Sequence, residues 1–256
     1  MPNALIGSTG FVGGNLLRQA PFDALYHSAN IDAIRGRSFD LVVCAGARAE
    51  KWKANQDPAA DRAGIAKLTA ALAGVRASLV VLVSTVDVYP DPAGVDESAP
   101  IDESRASPYG RHRLELERWL AGRFDTLVVR LPGLFGPGLR KNVVYDLLHD
   151  NQVEKINPTS VYQYYDLENL WGDIQTCLAH GLRLVNFATE PLPTAELLAE
   201  VFGRRLPALP GPAARYDFRS RHAGLFGGAG GYLYSRPQVL AGLRRFVEAE
   251  RRGLAA

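Results

Sequence analysis

The feature that most constrains this chain is the string Gly7-Ser8-Thr9-Gly10-Phe11-Val12-Gly13, which follows the short apolar run Ala4-Leu5-Ile6. A helical pattern from Phe11 to about Ala20 succeeds it, stopped by Pro21. Glycine is needed where backbone must turn tightly or approach a phosphate with no Cβ in the way. The start of a helix offers free N–H groups and a partial positive charge to a pyrophosphate. The G-x-x-G-x-x-G letters are weak alone; their place between strand and helix makes them a dinucleotide cradle. Gly7, Thr9, Gly10, Phe11, Val12 and Gly13 are the residues expected to line it.

The rest of the chain repeats the alternation of short apolar runs with longer helical patterns. Strands are expected at Ala24–Tyr26, Leu41–Val43, Leu79–Val83, Thr126–Leu131 and Leu182–Phe187. Asp57-Pro58 and Ser107-Pro108 each open a helix, with a side chain to cap free N–H groups and a proline suited to the first turn. Further helices are expected from about Thr194 to Phe202 and from about Pro237 to Arg251, and Leu206–Gly231 reads as loop. Such alternation implies an α/β fold, a Rossmann-type doubly wound parallel sheet with a small C-terminal substrate lobe. The expectation is a single domain, residues 1–256. Residues 1–137 form mainly the dinucleotide-binding core, and residues 138–256 mainly the substrate lobe, interleaved with the last core elements.

Composition narrows the function classes. Of 256 residues, 47% are hydrophobic, enough for one sizeable core, and the net charge is only +2. No basic arm or acidic tail supports binding to nucleic acid or a membrane surface. No signal peptide and no apolar run of ~18 residues is present, so a cytoplasmic setting is expected. Cys44 and Cys177 read as buried, reduced thiols. His149, His180 and His222 lack partners at metal spacing, so no metal is expected.

Dinucleotide sites commonly place a carboxylate after the second strand, on the adenosine ribose. Here that position falls at His27-Ser28-Ala29-Asn30, and no carboxylate is present. Its absence removes the main obstacle to a 2′-phosphate. Arg35 and Arg37 come late for that phosphate, so NAD and NADP both stay open, with a lean toward NADP. Ser28, Asn30 and Ile31, with the turn Ala45-Gly46-Ala47, are the candidates for the adenosine end.

Thr85, just past the fourth strand, and Tyr109, at the start of a helix, are the residues expected to carry chemistry. A phenol has pKa near ~10 and needs a neighbouring cation to exchange protons near neutrality. The string Val83-Ser84-Thr85-Val86-Asp87-Val88-Tyr89 resembles the strand-end motif of the extended short-chain dehydrogenase/reductase family. Ser107-Pro108-Tyr109-Gly110 resembles the start of that family's Tyr-x-x-x-Lys helix. Arg130-Leu131-Pro132-Gly133-Leu134-Phe135-Gly136-Pro137 resembles its nicotinamide-contacting turn. The resemblance covers roughly the first 140 residues in family order. It implies that Thr85 holds the substrate oxygen, that Tyr109 is the acid/base, and that Ser84, Pro132 and Leu134 meet the cofactor. It also implies a homodimer built on the helices from Asp57 and Ser107. Within the family the style is that of nucleotide-sugar epimerases, dehydratases and 4-keto-sugar reductases.

The departure is at the lysine. Arg113 stands four residues after Tyr109. Arginine keeps the charge and can bond a ribose diol, but it does not readily give up a proton. Arg113 is therefore expected to serve both cofactor and catalysis, with any proton relay through it in doubt.

Asp87, Arg140, Asn142, Gln163, Tyr165, Arg219 and Arg221 are candidates for a small, sugar-linked substrate, since arginines clamp phosphates and aromatic faces stack on sugars and bases. The leading expectation is an NAD(P)-dependent oxidoreductase or epimerase. Its rivals are a catalytically weak cofactor-binding sensor or scaffold, and a reductase of a small ketone or aldehyde.

Overall fold

The computed structural model describes residues 1–254. In chain order the main elements are β1 (Asn3–Ile6), α1 (Phe11–Gln19), β2 (Ala24–Tyr26), β3 (Ser38–Cys44), α2 (Lys51–Gln56), α3 (Pro58–Leu72) and β4 (Arg76–Thr85). There follow β5 (Ala93–Val95), α4 (Pro108–Ala121), β6 (Thr126–Leu131), β7 (Gly133–Phe135), α5 (Val143–Leu148), β8 (Val161–Tyr162) and β9 (Tyr164–Asp166). The last are α6 (Leu170–Ala179), β10 (Leu184–Asn186), β11 (Leu192–Pro193), α7 (Thr194–Leu197), β12 (Asp217–Phe218) and α8 (Arg236–Leu254).

The chain divides into two compact units. The first comprises residues 1–91, 99–131 and 170–185, and the second residues 92–98, 132–169 and 186 onward. A six-stranded sheet in the order β10-β6-β4-β3-β1-β2 organises the first. The pairs β1–β2, β1–β3, β3–β4 and β4–β6 are parallel. The chain runs from β1 outward to β2 and returns to the other side of β1 as β3. That reversal opens a crevice at the carboxyl ends of β1 and β3, where ligands of doubly wound sheets bind.

The strands form because their apolar runs are continuous and can be covered on both faces; every residue of β6 is buried. Leu68 and Leu72 of α3 and Leu116 and Leu120 of α4 pack with Val42, Val80, Leu82 and Val128 in one core. The expected caps start both helices. Asp57 accepts from Ala60 N at 3.0 Å and Ser107 from Gly110 N at 3.3 Å, each followed by proline.

Short parallel pairings β7–β9 and β5–β12, with the antiparallel pair β8–β11, shape the second unit. Its core gathers Phe135, Val144, Tyr164 and Leu192 against Leu243 and Phe246 of α8. Two local expectations change. The stretch read as loop from Leu206 to Gly231 contains β12 and a 3-10 turn, Ala223–Phe226. The helix from Thr194 passes into a π-helical turn at Leu198–Phe202. The helix α2, which is short, polar and without apolar period, lies in a stretch to which the sequence assigned no element. Cys44 and Cys177 are buried thiols, and burial pushes Cys44 up to about 11 against the opposing backbone bond at Gly46. Among the described residues no helix is long and apolar enough to cross a membrane, and no group of three metal-ligating side chains occurs.

Candidate active site

The glycine turn closes on the ends of two strands. Gly7 N and Ser8 N both donate to Tyr26 O, at 2.8 and 3.1 Å, and Gly10 N donates to Gly7 O at 2.9 Å. Gly7 has φ +87°, and a Cβ there would stand 2.3 Å from Ala45 O. A Cβ on Gly13 would stand 2.1 Å from Gly7 O, whereas one on Gly10 would meet that oxygen only at 3.2 Å. Gly10 caps α1 without a side chain, and the first turn carries no acid. Thr9 and Gly10 are exposed, and Phe11 and Val12 half-buried. The helix thus presents uncapped N–H groups on an open surface, which fits a pyrophosphate.

At the adenosine end two expectations are corrected. Asn30 Oδ1 accepts from His27 N at 2.7 Å and its Nδ2 donates to Leu25 O at 3.1 Å, so its side chain is spent on closing the turn. Ile31 is 4% exposed and belongs to the core. Ser28 is exposed, and Lys67 Nζ, a cation that sequence reasoning missed, donates to Ser28 O at 3.1 Å. Arg35 is held by Asp32 and Ala70 O, and Arg37 by the Tyr26 hydroxyl. Ala45 N donates to Ile6 O at 2.9 Å, fixing the turn that continues through exposed Gly46 and half-buried Ala47.

Tyr109 and Thr85 meet at the carboxyl end of β4. A Cβ on Gly110 would lie 2.1 Å from Asp87 O, so the first turn of α4 presses directly against the turn after β4. Thr85 Oγ1 accepts from Asp87 N at 3.1 Å and stands beside the Tyr109 phenol, favouring its ionised form. Burial pushes the phenol above its ordinary value. The charges of Arg113 and Lys51 and the Thr85 hydroxyl pull it down and the Asp87 charge pushes it further up, with the upward effects prevailing. Ser84, expected among the cofactor contacts, has its hydroxyl bonded to buried Glu117. Glu117 in turn holds Arg130, whose Nη1 donates to the Tyr89 hydroxyl at 2.7 Å.

Arg113 is 3% exposed and its guanidinium carbon lies 3.9 Å from the Tyr109 ring centroid. Nη1 and Nη2 donate to the two oxygens of Asp61 at 2.5 and 2.8 Å. Their remaining hydrogens go to Tyr109 O and Arg48 O, leaving only Nε without a partner. His112 is buried and meets Asp61 Oδ2 at 2.7 Å. Burial works to raise Asp61, but hydrogen bonds and charge from Arg113 and His112 outweigh it and hold the carboxyl below the ordinary range. The expected bonding of a ribose diol by the Nη groups of Arg113 is therefore corrected: those hydrogens are already committed. The short helix α2 adds two residues that no sequence motif signalled. Lys51 Nζ lies 2.7 Å from Asp87 Oδ1, and Asn55 Oδ1 accepts from Tyr109 N at 3.1 Å.

In the second unit, Pro132 and Leu134 are half-buried, and Arg140, Arg219 and Arg221 are exposed. Arg219 pairs with Asp217 at 2.9 Å. Three expected pocket side chains are instead structural. Asn142 caps α5 through Val144 N and Tyr145 N and donates to Leu134 O. Gln163 is 2% exposed, its amide bonded to Thr189 O and to both N and O of Phe218. Tyr165 is fully buried against Phe187 and Tyr234. Their neighbours do line a cavity of about 300 Å³, which includes Val143, Lys155, Ser160 and Tyr162.

Fold and site together define a Rossmann-type α/β protein with a tyrosine–threonine pair at its strand ends. The model of the NAD-dependent epimerase/dehydratase family matches residues 20–169, and the chain belongs to that family. No curated protein matches the chain by sequence. Solved structures with the same fold include the dTDP-glucose 4,6-dehydratase DesIV of Streptomyces venezuelae with NAD bound, at 19% identity and TM-score 0.71 over 98% of this chain and 97% of that one. The UDP-glucose 4-epimerase of Thermotoga maritima with UDP-glucose is similar at 16% identity and TM-score 0.70, over 98% and 99%. RMD of Pseudomonas aeruginosa, complexed with NADPH, is similar at 21% identity and TM-score 0.67, over 98% and 100%.

Proposed function

We propose that this chain is a nicotinamide-dependent enzyme that reduces, epimerises or dehydrates a nucleotide-linked sugar. The observation that carries the reading is the placing of Tyr109 beside Thr85 at the end of β4, where Gly110 presses against Asp87 O, in the same unit as an uncapped glycine turn at the end of β1. When bound, a nicotinamide dinucleotide supplies hydride acceptance and donation. Gly7, Gly10 and Gly13, with the backbone of Thr9, Phe11 and Val12, would hold its pyrophosphate. Ala45 to Ala47 would border the adenosine, and the turn at Pro132 and Leu134 the nicotinamide. Thr85 orients the substrate oxygen, and Tyr109 gives or takes its proton.

NADP is the favoured cofactor. The turn after β2 carries no carboxylate, and the Lys67 ammonium stands against it at Ser28. The substrate's nucleotide is assigned to the second unit, where Tyr162 stacks on Tyr216 at 5.6 Å and Lys155 shares the cavity with Tyr162. Exposed Arg140, Arg219 and Arg221 are the cations offered to its phosphates. The family habit of pairing through α3 and α4 makes a homodimer the proposed assembly, and the buried thiols suit the cytoplasm.

The test is to incubate the protein with UDP-glucose, UDP-N-acetylglucosamine, dTDP-glucose or GDP-mannose and each of NAD⁺, NADP⁺, NADH and NADPH. Product is followed by chromatography and the reduced cofactor by absorbance. Conversion of one sugar nucleotide with a preferred cofactor is expected. Tight cofactor binding with no conversion of any sugar overturns the enzymatic reading. The locking of Arg113 on Asp61 is the observation that favours the rival then, a cofactor-binding sensor.

A further inference from the structure

Arg113 lies over one side of Tyr109 as a cation that cannot exchange a proton, and its charge is already matched by Asp61. A second cation reaches the phenol by another route. Lys51 Nζ is 2.7 Å from Asp87 Oδ1, and Asp87 Oδ2 is 3.4 Å from Thr85 Oγ1. The Thr85 hydroxyl in turn stands beside the phenol and acts on it. Exposure grades along this line. The Lys51 side chain is 44% exposed and that of Asp87 23%, whereas Tyr109 is 6% exposed. The same short helix α2 carries Lys51 and, through Asn55, binds the backbone N–H of Tyr109, so lysine and phenol are tied to one local scaffold.

We infer that Lys51, acting through Asp87 and Thr85, is the proton-exchanging cation of this site and returns to Tyr109 the proton it gives to substrate. The inference rests on the acid/base reading of Tyr109. As the phenol O–H bond breaks, its proton goes to the substrate oxygen. Thr85 then passes its hydroxyl proton to the phenolate and takes one from the Asp87 carboxyl, which has received it from the Lys51 ammonium. Solvent reprotonates the Lys51 amine, so the net change is one proton from water to substrate. Lys51 also neutralises Asp87, whose bare carboxylate would oppose a phenolate beside it. The charged groups facing Tyr109 are thus Lys51, Asp87 and Arg113, the last carrying Asp61 and His112 behind it. Lys51 touches no reacting atom and is a positioning residue.

One readout needs no turnover. The full chain labelled with [ζ-¹³C]tyrosine, in mixed H₂O and D₂O, reports hydroxyl proton exchange through the deuterium isotope shift, with Tyr109→Phe assigning the signal. In Lys51→Met, and equally in Lys51→Arg, exchange at Tyr109 should slow by about tenfold or more, because a guanidinium keeps its proton. Unchanged exchange in Lys51→Met overturns the inference, and so does Lys51→Arg with parental exchange, since charge alone would then suffice. The second arm follows kcat with the sugar nucleotide that the wild type converts. Lys51→Ala should lose about tenfold or more in kcat at unchanged cofactor KM, restored by methylamine and not by guanidine. Slowed exchange with parental kcat overturns the relay. If the wild type converts no sugar nucleotide, the enzymatic reading fails by itself, and the exchange arm still decides whether Lys51 serves the phenol.

Discussion

Arg113 binds Asp61 with both of its terminal nitrogens, at 2.5 and 2.8 Å, while its plane covers the Tyr109 ring. A lysine at this place could not make the two-pronged contact, and it would lose bonds that Arg113 gives to Asp61, Tyr109 O and Arg48 O. Arg113→Lys should therefore lose stability by about 1–3 kcal/mol, the worth of a charged hydrogen bond removed from a buried acceptor. It should also lower turnover rather than raise it, despite restoring the common family residue. Denaturant titration together with kcat decides this. A stable, faster Arg113→Lys enzyme would show that the arginine is not built into the packing.

Asp61 makes stability depend on acid. Its side chain is 8% exposed, and its carboxyl is held below the ordinary range. A carboxyl depressed in the folded state contributes stability above its unfolded pKa of about 3.9, and that contribution is lost as pH falls through the lower folded value. Asp61→Asn should be destabilised by about 3 kcal/mol near neutrality, because two basic side chains lose their buried partner. The gap to wild type should narrow below about pH 4, where wild type loses the same contribution. Melting temperatures taken across that range check both the size and the sign.

The three glycines of the turn should separate into two kinds. Gly10→Val leaves most of the local backbone undisturbed but sets a branched side chain where phosphate would approach, so cofactor affinity should fall at least tenfold with the fold kept. Gly13→Ala drives a Cβ to 2.1 Å from Gly7 O and should damage the fold itself. Calorimetry with NADPH and NADH, beside circular dichroism, separates the two effects. Parental affinity in Gly10→Val would move the cradle elsewhere.

Tyr109→Phe removes only the phenolic oxygen. Turnover should fall by roughly 10²–10⁴, the usual worth of a positioned acid or base, while cofactor still binds. Thr85→Ala should lose less, since it removes the hydroxyl beside the phenol and the cap on the turn at Asp87 N but not the proton carrier. Steady-state kinetics on a converted sugar nucleotide measures both. Unchanged kcat in Tyr109→Phe would end the acid/base assignment.

Selectivity for NADP should depend on Lys67. Lys67→Met is expected to weaken NADPH binding about tenfold and leave NADH nearly unchanged, since only the 2′-phosphate needs the ammonium. Equal effects on the two cofactors, measured by calorimetry, would remove Lys67 from the ribose site.

What the chain's own residues determined is local. A continuous apolar run of β-branched residues makes a buried strand wherever it occurs, and Asp57-Pro58 and Ser107-Pro108 start helices through bonds spanning three residues. The glycine turn and the places of Thr85 and Tyr109 were legible for that reason. Tertiary structure decided which polar groups meet. Asp61 lies 52 residues before Arg113, and Lys51 lies 36 before Asp87, on a helix with no apolar period to announce it. Gln163 looks like a pocket residue until β12 brings the Phe218 backbone to its amide, and Asn142 until α5 needs its cap. A polar side chain is spent on folding or left for chemistry according to which unpaired backbone group the fold sets beside it, and that neighbour is seldom near in sequence.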